Sequence, residues 1–596
     1  MLAARSTMMT ATTSTLPFTE RSNPLTQNID VADCKGIVDM LHSCDEEMLA
    51  GSFQFPGLQD DSTVRTILGA VDHIATIMQE PEDHLVVMSG CGTSGRMAFL
   101  AATTCNRLLR ESGRQACCAY LIAGGDRALL TSQEAPEDDP LLGASELQQA
   151  VAGKKKVFYI GITCGLSAPY VAGQLDYCLQ HLEAFTPLLM GFNPVQLARN
   201  HGIETWYKTV KDVVEEMERA TKDNKAFILN PVVGPEPITG STRMKGGSAT
   251  KILLDTILLL AAQKAVDQCA INEHTVRAFL RAYSQCVESV YSKAADISCL
   301  VSNAGKSLQA SGHIYYFGAG TAGIMGCIDA SECVPTYGSD PEDVRGFLRG
   351  GYDTLNNADG CLANLGPLYR LSWKDFCDNI LGHFSSSDSA IFLLSSPDEM
   401  EPCADLAEKL KKTGGHVMAV LYNFQPNDAK MSASFSTVFP QSVLLQMPPV
   451  PATGGSAAVQ AAVCRRLGEF ALKLVCNSVS TGAHIMVGKV FQNFMVDVQI
   501  RNNKLFYRAI RIVQHLSDCS DAAATRAVLS ALYDTDDVTP LVDINVSQHV
   551  DRGTKQEKVV PIALLCAALK MSPSQARQQL TVTPVIRHAI SAVVTK

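Results

Sequence analysis

The sequence predicts an α/β protein: two tandem doubly wound parallel sheets of the flavodoxin type, followed by an all-helical C-terminal cap. Three observations carry that prediction. A long stretch of the chain repeats itself, each copy alternates short apolar runs with helical patterns, and the apolar runs stop near residue 498.

The repeat is ordered. "HLVVMSGCGTSGRMAFLAATTC" at 84–105 has a counterpart in "HIYYFGAGTAGIMGCIDASEC" at 313–333, which sets Gly92 opposite Gly320, an offset of 228 residues. "YLIAGGD" then matches "GFLRGGY", "KVFYIGITCG" answers "AIFLLSSPDE", and "PLLMGFNP" answers "HVMAVLYN". Runs that are apolar throughout, rather than alternating, belong to strands covered on both faces, which means a parallel sheet between helices. Ligand loops are then expected beyond the carboxyl ends of the strands. After the second copy, "NNKLFYRAIRIVQHL" places Leu505, Ala509, Ile512, Val513 and Leu516 on one helical stripe, and "PIALLCAALKMSPSQARQQL" and "PVIRHAISAVV" continue in the same way. The expected division is a tail and helical lead-in over 1–59, one sheet domain over 60–285, a second over 286–498 and the cap over 499–596.

At 596 residues the chain is too long for a single core. Its net charge of −10 argues against nucleic acid or an anionic membrane as the main partner. The 20 cysteines form no C-x-x-C and are scattered through apolar segments, so they read as reduced, mostly buried thiols. No two histidines stand four apart, and no metal site is expected. "ILLDTILLLAA" at 252–262 is short and contains Asp255, which makes it a buried helix rather than a membrane span. The first 21 residues, rich in Ser and Thr, read as a disordered tail.

"GCGTSGRMAF" at 90–99 holds a G-x-G-x-x-G between an apparent strand and a helix, the usual context of a dinucleotide pyrophosphate. A dinucleotide site also needs an acid at the tip of the second strand. Here that strand ends in Ala123-Gly124-Gly125, and its counterpart in Arg349-Gly350-Gly351, so no nucleotide cofactor is expected. A monophosphate fits better. Amides of residues 92–96 can face an anion at the positive end of a helix, with hydroxyls from Thr93 and Ser94. A second loop, "GITCGLSAPY" at 161–170, adds Thr163 and Ser167 ahead of a helix with Pro169 in its first turn. Two hydroxyl loops on one sheet edge suit a phosphorylated sugar.

"GCGTSGRMAF", "GITCGLSAPYVAGQ", "GFNPVQLARN" and "GPEPITGSTRMKGGSATKILL" resemble the sugar-isomerase (SIS) domain, and more closely the bacterial N-acetylmuramic acid 6-phosphate etherases. "IDASECVPTYG" and "VFQNFMVDVQIRNNKLFYRA" resemble the same enzymes but lie in and after the second copy. An etherase is one such domain that dimerises. Two fused copies with a helical cap, and "ERSNPLTQNID" near the start, resemble the family of glucokinase regulatory proteins over about residues 20–596.

The resemblance implies one sugar-phosphate site, mainly in domain 1. It assigns Thr93 and Ser94 to the phosphate loop and Thr163, Cys164 and Gly165 to the second loop, where the family usually has Ser at 163. Glu137 matches an acid at the sugar, Glu332 an acid reaching in from domain 2, and Lys504 a cap lysine closing over the ligand. The second copy reads as degraded: Ala322 replaces a loop hydroxyl, Thr104 stands where a partner acid is needed, and Asp398 and Glu399 in "SSPDEMEPC" repel phosphate. The implied function is a non-enzymatic inhibitor of glucokinase, favoured by fructose 6-phosphate and relieved by fructose 1-phosphate, in cytoplasm and nucleus. The loop that contacts glucokinase is bulky and hydrophobic in mammalian members; here it is Thr453-Gly454-Gly455, without a large anchor. The alternative is an etherase-like lyase with Glu137 and Glu332 as its acid–base pair.

Overall fold

The computed structural model describes residues 16–51, 55–204, 206–425, 429–451 and 454–594. Domain 1 contains strands β1 (His84–Gly90), β2 (Cys118–Ile122), β3 (Lys156–Ile162), β4 (Phe185–Met190) and β5 (Phe227–Leu229). They form a parallel sheet in the order β2-β1-β3-β4-β5. Domain 2 contains β6 (Ile314–Gly318), β7 (Val344–Leu348), β8 (Ser389–Leu394), β9 (His416–Asn423) and β10 (Gln441–Gln446), paired in parallel in the equivalent order β7-β6-β8-β9-β10. This is the flavodoxin-type order expected from the repeat. The central strands are covered on both faces: β6 and β8 are buried at every position, whereas the edge strand β10 begins and ends on exposed glutamines.

Gly92 and Gly320 explain why the repeat keeps its glycines. Both open a helix with left-handed backbone, at φ +49° and +52°, where a side chain is strained. Gly95 is required by proximity instead, since a Cβ there would lie 2.5 Å from Ile122 Cγ1.

The two domains are fused through their cores. One continuous apolar cluster takes in the inner faces of both sheets, the helices Lys245–Asp267 and Ala457–Met486 between them, and the cap. The outer face of each sheet has its own smaller cluster. The apolar run at 252–262 belongs to the first of those central helices and is buried throughout. Among the described residues no single helix is long and apolar enough to cross a membrane. The domain boundary placed at 285/286 falls inside the helix Glu273–Tyr291. The cap opens with the helix Asn503–Ser517, whose stripe Leu505, Ala509, Ile512, Val513 and Leu516 is buried.

The start of the chain corrects the sequence reading. Residues 1–15 lie outside the described residues, but from Leu16 onward the chain is a strap, not a disordered tail. The Thr19 amide donates to Asn193 Oδ1 at 3.2 Å, Asn23 Nδ2 to the Pro235 carbonyl at 2.8 Å and Thr26 Oγ1 to the Pro237 carbonyl at 2.7 Å. Asn493, between domain 2 and the cap, accepts from Ser22 and donates to the Asn23 carbonyl. Short polar side chains with distant partners leave no trace in hydropathy, so the sequence alone reads as a tail here.

The helix Lys245–Asp267 has no side-chain cap of its own; Glu236 supplies one, accepting from the Lys245 and Gly246 amides at 2.9 Å each. Burial pushes the Glu236 carboxyl from 4.5 up to about 7, against those amides and Lys245. The folded chain therefore favours the protonated form. This contribution is complete below pH 4.5 and is lost as pH rises through about 7. Stability should fall by about 3 kcal/mol across that window, and Glu236→Gln should flatten the fall. Urea melts at a series of pH values decide it; equal pH slopes for both chains would refute the assignment.

Candidate functional site

The carboxyl ends of β1 and β3 lead into the two hydroxyl loops. The helix Gly92–Glu111 has Cys91 at its N-cap and Pro169–Gln180 has Ala168; neither cap side chain bonds the first-turn amides. Two positive helix ends thus meet at one sheet edge. Between them and the cap lies a cavity of about 50 Å³, lined by Ser94, Glu137, Thr163, Cys164, Gly165 and Lys504, with Thr19, Glu20 and Arg508 also in the wall. Six of the eight residues singled out as ligand-binding therefore share one cavity.

The other two adjoin it. Glu332 is buried at the end of the domain 2 helix Gly320–Ser331. It accepts from Thr93 Oγ1 at 2.5 Å and from Arg96 Nη1 at 3.1 Å. The Thr93 proton thus goes to Glu332, while Arg96, within the glycine motif, adds an ion pair between the domains. Its other Nη donates to the Thr131 carbonyl at 3.2 Å.

Within the cavity, Ser94 Oγ stands 3.4 Å from Cys164 Sγ. Burial pushes the Cys164 thiol up to about 11, so it lines the cavity as a neutral group. Thr163 Oγ1 accepts from the Ser167 and Ala168 amides, which shapes its loop and leaves the hydroxyl proton available to donate. Lys504 Nζ donates to Glu137 Oε1 at 2.7 Å. Burial lowers the Lys504 pKa, but Glu137 and Glu134 outweigh it and hold the ammonium above its ordinary value.

Glu20 and Arg508 were not foreseen. Arg508 donates to both Glu20 oxygens, at 3.0 and 2.5 Å, and Arg511 adds a third bond at 3.0 Å. Burial raises the Glu20 pKa, yet the two guanidiniums reverse this and bring its carboxyl down to about 2. A signal for Arg508 was present: it lies one helical turn after Lys504, on the same face. None existed for Glu20, 488 residues away from its partner.

The groups that would build the equivalent site of the second copy, one of them on a domain 1 helix, are engaged internally. Glu399 accepts from the Ser395 amide at 2.7 Å and from Ser395 Oγ at 2.9 Å, so a carboxylate of the protein takes donors that an anion would need. Thr104 Oγ1 returns to the Leu100 carbonyl of its own helix. At the tip of β2, Asp126, just past Gly125, accepts from Tyr120, Asn357 and the Asp359 amide, and ties domain 1 to domain 2. His42, Glu46 and Glu288 are the one described group with metal-ligand geometry, and they lie at a partly exposed surface of two other helices. Of the loop read as a partner contact, Thr453 lies outside the described residues. Gly454 has φ +73° with open space around it, and Gly455 packs near Val459.

Two flavodoxin-type sheets with hydroxyl-bearing glycine loops, closed by a helical lid, define a tandem SIS-domain protein. Family models agree along the chain: the glucokinase regulatory protein N-terminal SIS domain matches residues 70–179, its second SIS domain 291–487 and its C-terminal lid domain 492–590. The glucokinase regulatory protein of Xenopus laevis is 38% identical over 586 residues, covering 97% of this chain and 93% of its own. That of Homo sapiens is 38% identical over 584 residues, covering 96% and 92%. The chain belongs to the glucokinase regulatory protein family. N-acetylmuramic acid 6-phosphate etherase 2 of Lactiplantibacillus plantarum is a more distant relative, 31% identical over 236 residues, or 39% of this chain and 72% of the etherase.

Proposed function

We propose that this protein is a sugar-phosphate-gated inhibitor of glucokinase, with fructose 6-phosphate favouring the inhibitory arrangement and fructose 1-phosphate relieving it, and that it works in cytoplasm and nucleus. One observation supports this above others: a single cavity is walled by the strap, domain 1 and the cap, and two ion pairs stand in its wall. At about 50 Å³ it is far below the roughly 300 Å³ of ordinary small-molecule sites. A hexose phosphate can enter only if Glu137–Lys504 and Glu20–Arg508 open. The incoming phosphate then competes for Lys504 and Arg508, and Ser94 and the helix amides supply further donors. Ligand binding is thereby linked to cap position, and two sugar phosphates that place their hydroxyls differently can favour different positions.

Ser94→Ala tests the site. It removes one hydroxyl donor to a charged group, worth roughly 1.5–3 kcal/mol, so fructose 6-phosphate affinity should fall about tenfold or more with an unchanged fold. Calorimetry giving equal affinities would remove this loop from the site. A glucokinase assay with each fructose phosphate then reads the sign of the effect.

The lyase reading needs Glu137 and Glu332 facing one sugar as acid and base. Glu137 is ion-paired to Lys504, and Glu332 is held outside the cavity by Arg96 and Thr93. Incubation with N-acetylmuramic acid 6-phosphate should accordingly release no D-lactate above background. Release that disappears in Glu137→Gln would establish the lyase instead.

A further inference from the structure

A second cavity, of about 280 Å³, adjoins the same 130–138 loop and shares no lining residue with the first. It lies where three parts of the chain meet: Leu130 to Gln133 of domain 1, the helix Gly320–Ser331 and edge strand β7 of domain 2, and Arg501 at the entrance to the cap. One side of it is apolar, formed by Leu130, Ala330, Val334, Val344, Leu368 and Leu371. The lining contains two arginines and no acid, in a chain whose acids outnumber its bases by 60 to 50.

The two arginines differ. Arg345 is engaged, by Glu342 at 3.0 Å and by the carbonyls of Pro367 and Arg370 at 2.9 and 2.8 Å. Arg501 has no hydrogen bond or ion pair among the described residues, and a guanidinium cannot shed its proton to escape that position. The nearby thiol adds no negative charge, because burial pushes Cys327 up to about 12. Thr131 and Tyr369 join across the domains through their hydroxyls at 3.1 Å; Thr131 Oγ1 also donates to the Arg127 carbonyl and accepts from Gln133, so of the two only the Tyr369 hydroxyl keeps a free lone pair at the wall.

We propose that this cavity is a second small-molecule site, for a compact monoanion with an apolar body, namely a medium-chain carboxylate. One unpartnered guanidinium matches one carboxylate, in a bidentate pair. A phosphate dianion would need a second free cation, which the lining lacks. The apolar side takes the hydrocarbon, and the volume suits a chain of about eight carbons rather than a long lipid. Arg501 is followed directly by Asn502, Asn503 and Lys504, which bond to Glu134, Asp138 and Glu137. An occupant that draws on Arg501 therefore acts on the segment that closes the first cavity.

The probe is sodium octanoate, titrated calorimetrically into the full chain. The unmodified protein should bind it. Arg501→Gln, at a partly exposed and unpartnered position whose loss leaves nothing unsatisfied, should weaken binding about tenfold. Val334→Phe, which fills the cavity from its apolar wall, should abolish it. Equal affinity in the Arg501→Gln chain, undiminished binding in the Val334→Phe chain, or no binding by the unmodified chain at millimolar octanoate would each overturn the proposal. None of these readouts involves glucokinase or a sugar phosphate.

Discussion

Arg243→Met should destabilise the chain by about 3–5 kcal/mol, the cost of leaving one member of a buried ion pair without its partner. Arg243 belongs to domain 1, and its bonds all cross to domain 2 and the long helix Ala457–Met486. They reach Asp329 at 3.1 Å, the Tyr337 hydroxyl at 3.1 Å, Ser480 at 3.1 Å and Thr481 at 2.7 Å. Both charged side chains are only 3% exposed, so water cannot replace the lost guanidinium beside Asp329. The chain's two tryptophans, Trp206 and Trp373, lie one in each domain and report its unfolding in urea. The loss should show as a lower midpoint, and Arg243→Met combined with Asp329→Leu should recover part of it, because the double change removes the stranded charge. An unchanged midpoint in the single variant would show that this ion pair does not help to hold the domains together.

The second large effect concerns the proposed contact with glucokinase. Thr453-Gly454-Gly455 buries little apolar area, and at about 25 cal/mol per Å² the absence of two large side chains forfeits several kcal/mol of gross interface energy. Substituting Leu-Leu-Phe at 453–455 should therefore tighten glucokinase binding, chiefly by slowing dissociation. The structure tempers the gain. Gly454 sits at φ +73°, where an L-residue is strained by roughly 1–2 kcal/mol. A Cβ at 455 would lie 3.0 Å from Val459 Cγ1. Thr453→Leu with Gly455→Phe, leaving Gly454 in place, should retain most of the benefit. Surface-plasmon kinetics against glucokinase with fructose 6-phosphate present measures it. Nanomolar binding by the unmodified chain, or no gain from either variant, would place the contact elsewhere.

Much of the architecture was legible because it rests on local signals. The strand around Val86 and Val87, the glycine turn at Gly92 and the stripe from Leu505 to Leu516 each declare themselves within a few residues, through periodicity or a backbone requirement. The repeat then extended one domain to two. The site was legible in part for the same reason: Ser94, Thr163, Cys164 and Gly165 sit on loops next to their strands, so placing the strands placed them. Glu137, Glu332 and Lys504 came only from resemblance, since nothing in an acidic loop or at a helix start distinguishes a ligand from a solvated charge.

The sequence alone therefore determined the two sheets, their glycine loops and the helical cap, because hydrophobic period and glycine geometry act over short stretches of chain. Tertiary structure alone decided the partners of the charges. Glu20 meets Arg508, Arg96 meets Glu332, and Arg243 meets Asp329 across separations of 488, 236 and 86 residues. An ion pair takes its strength from how completely folding removes it from water, and no window of sequence contains that information. The same holds for the small cavity: its hydroxyls could be read from the loops, but the strap and cap that wall it are brought there only by the fold.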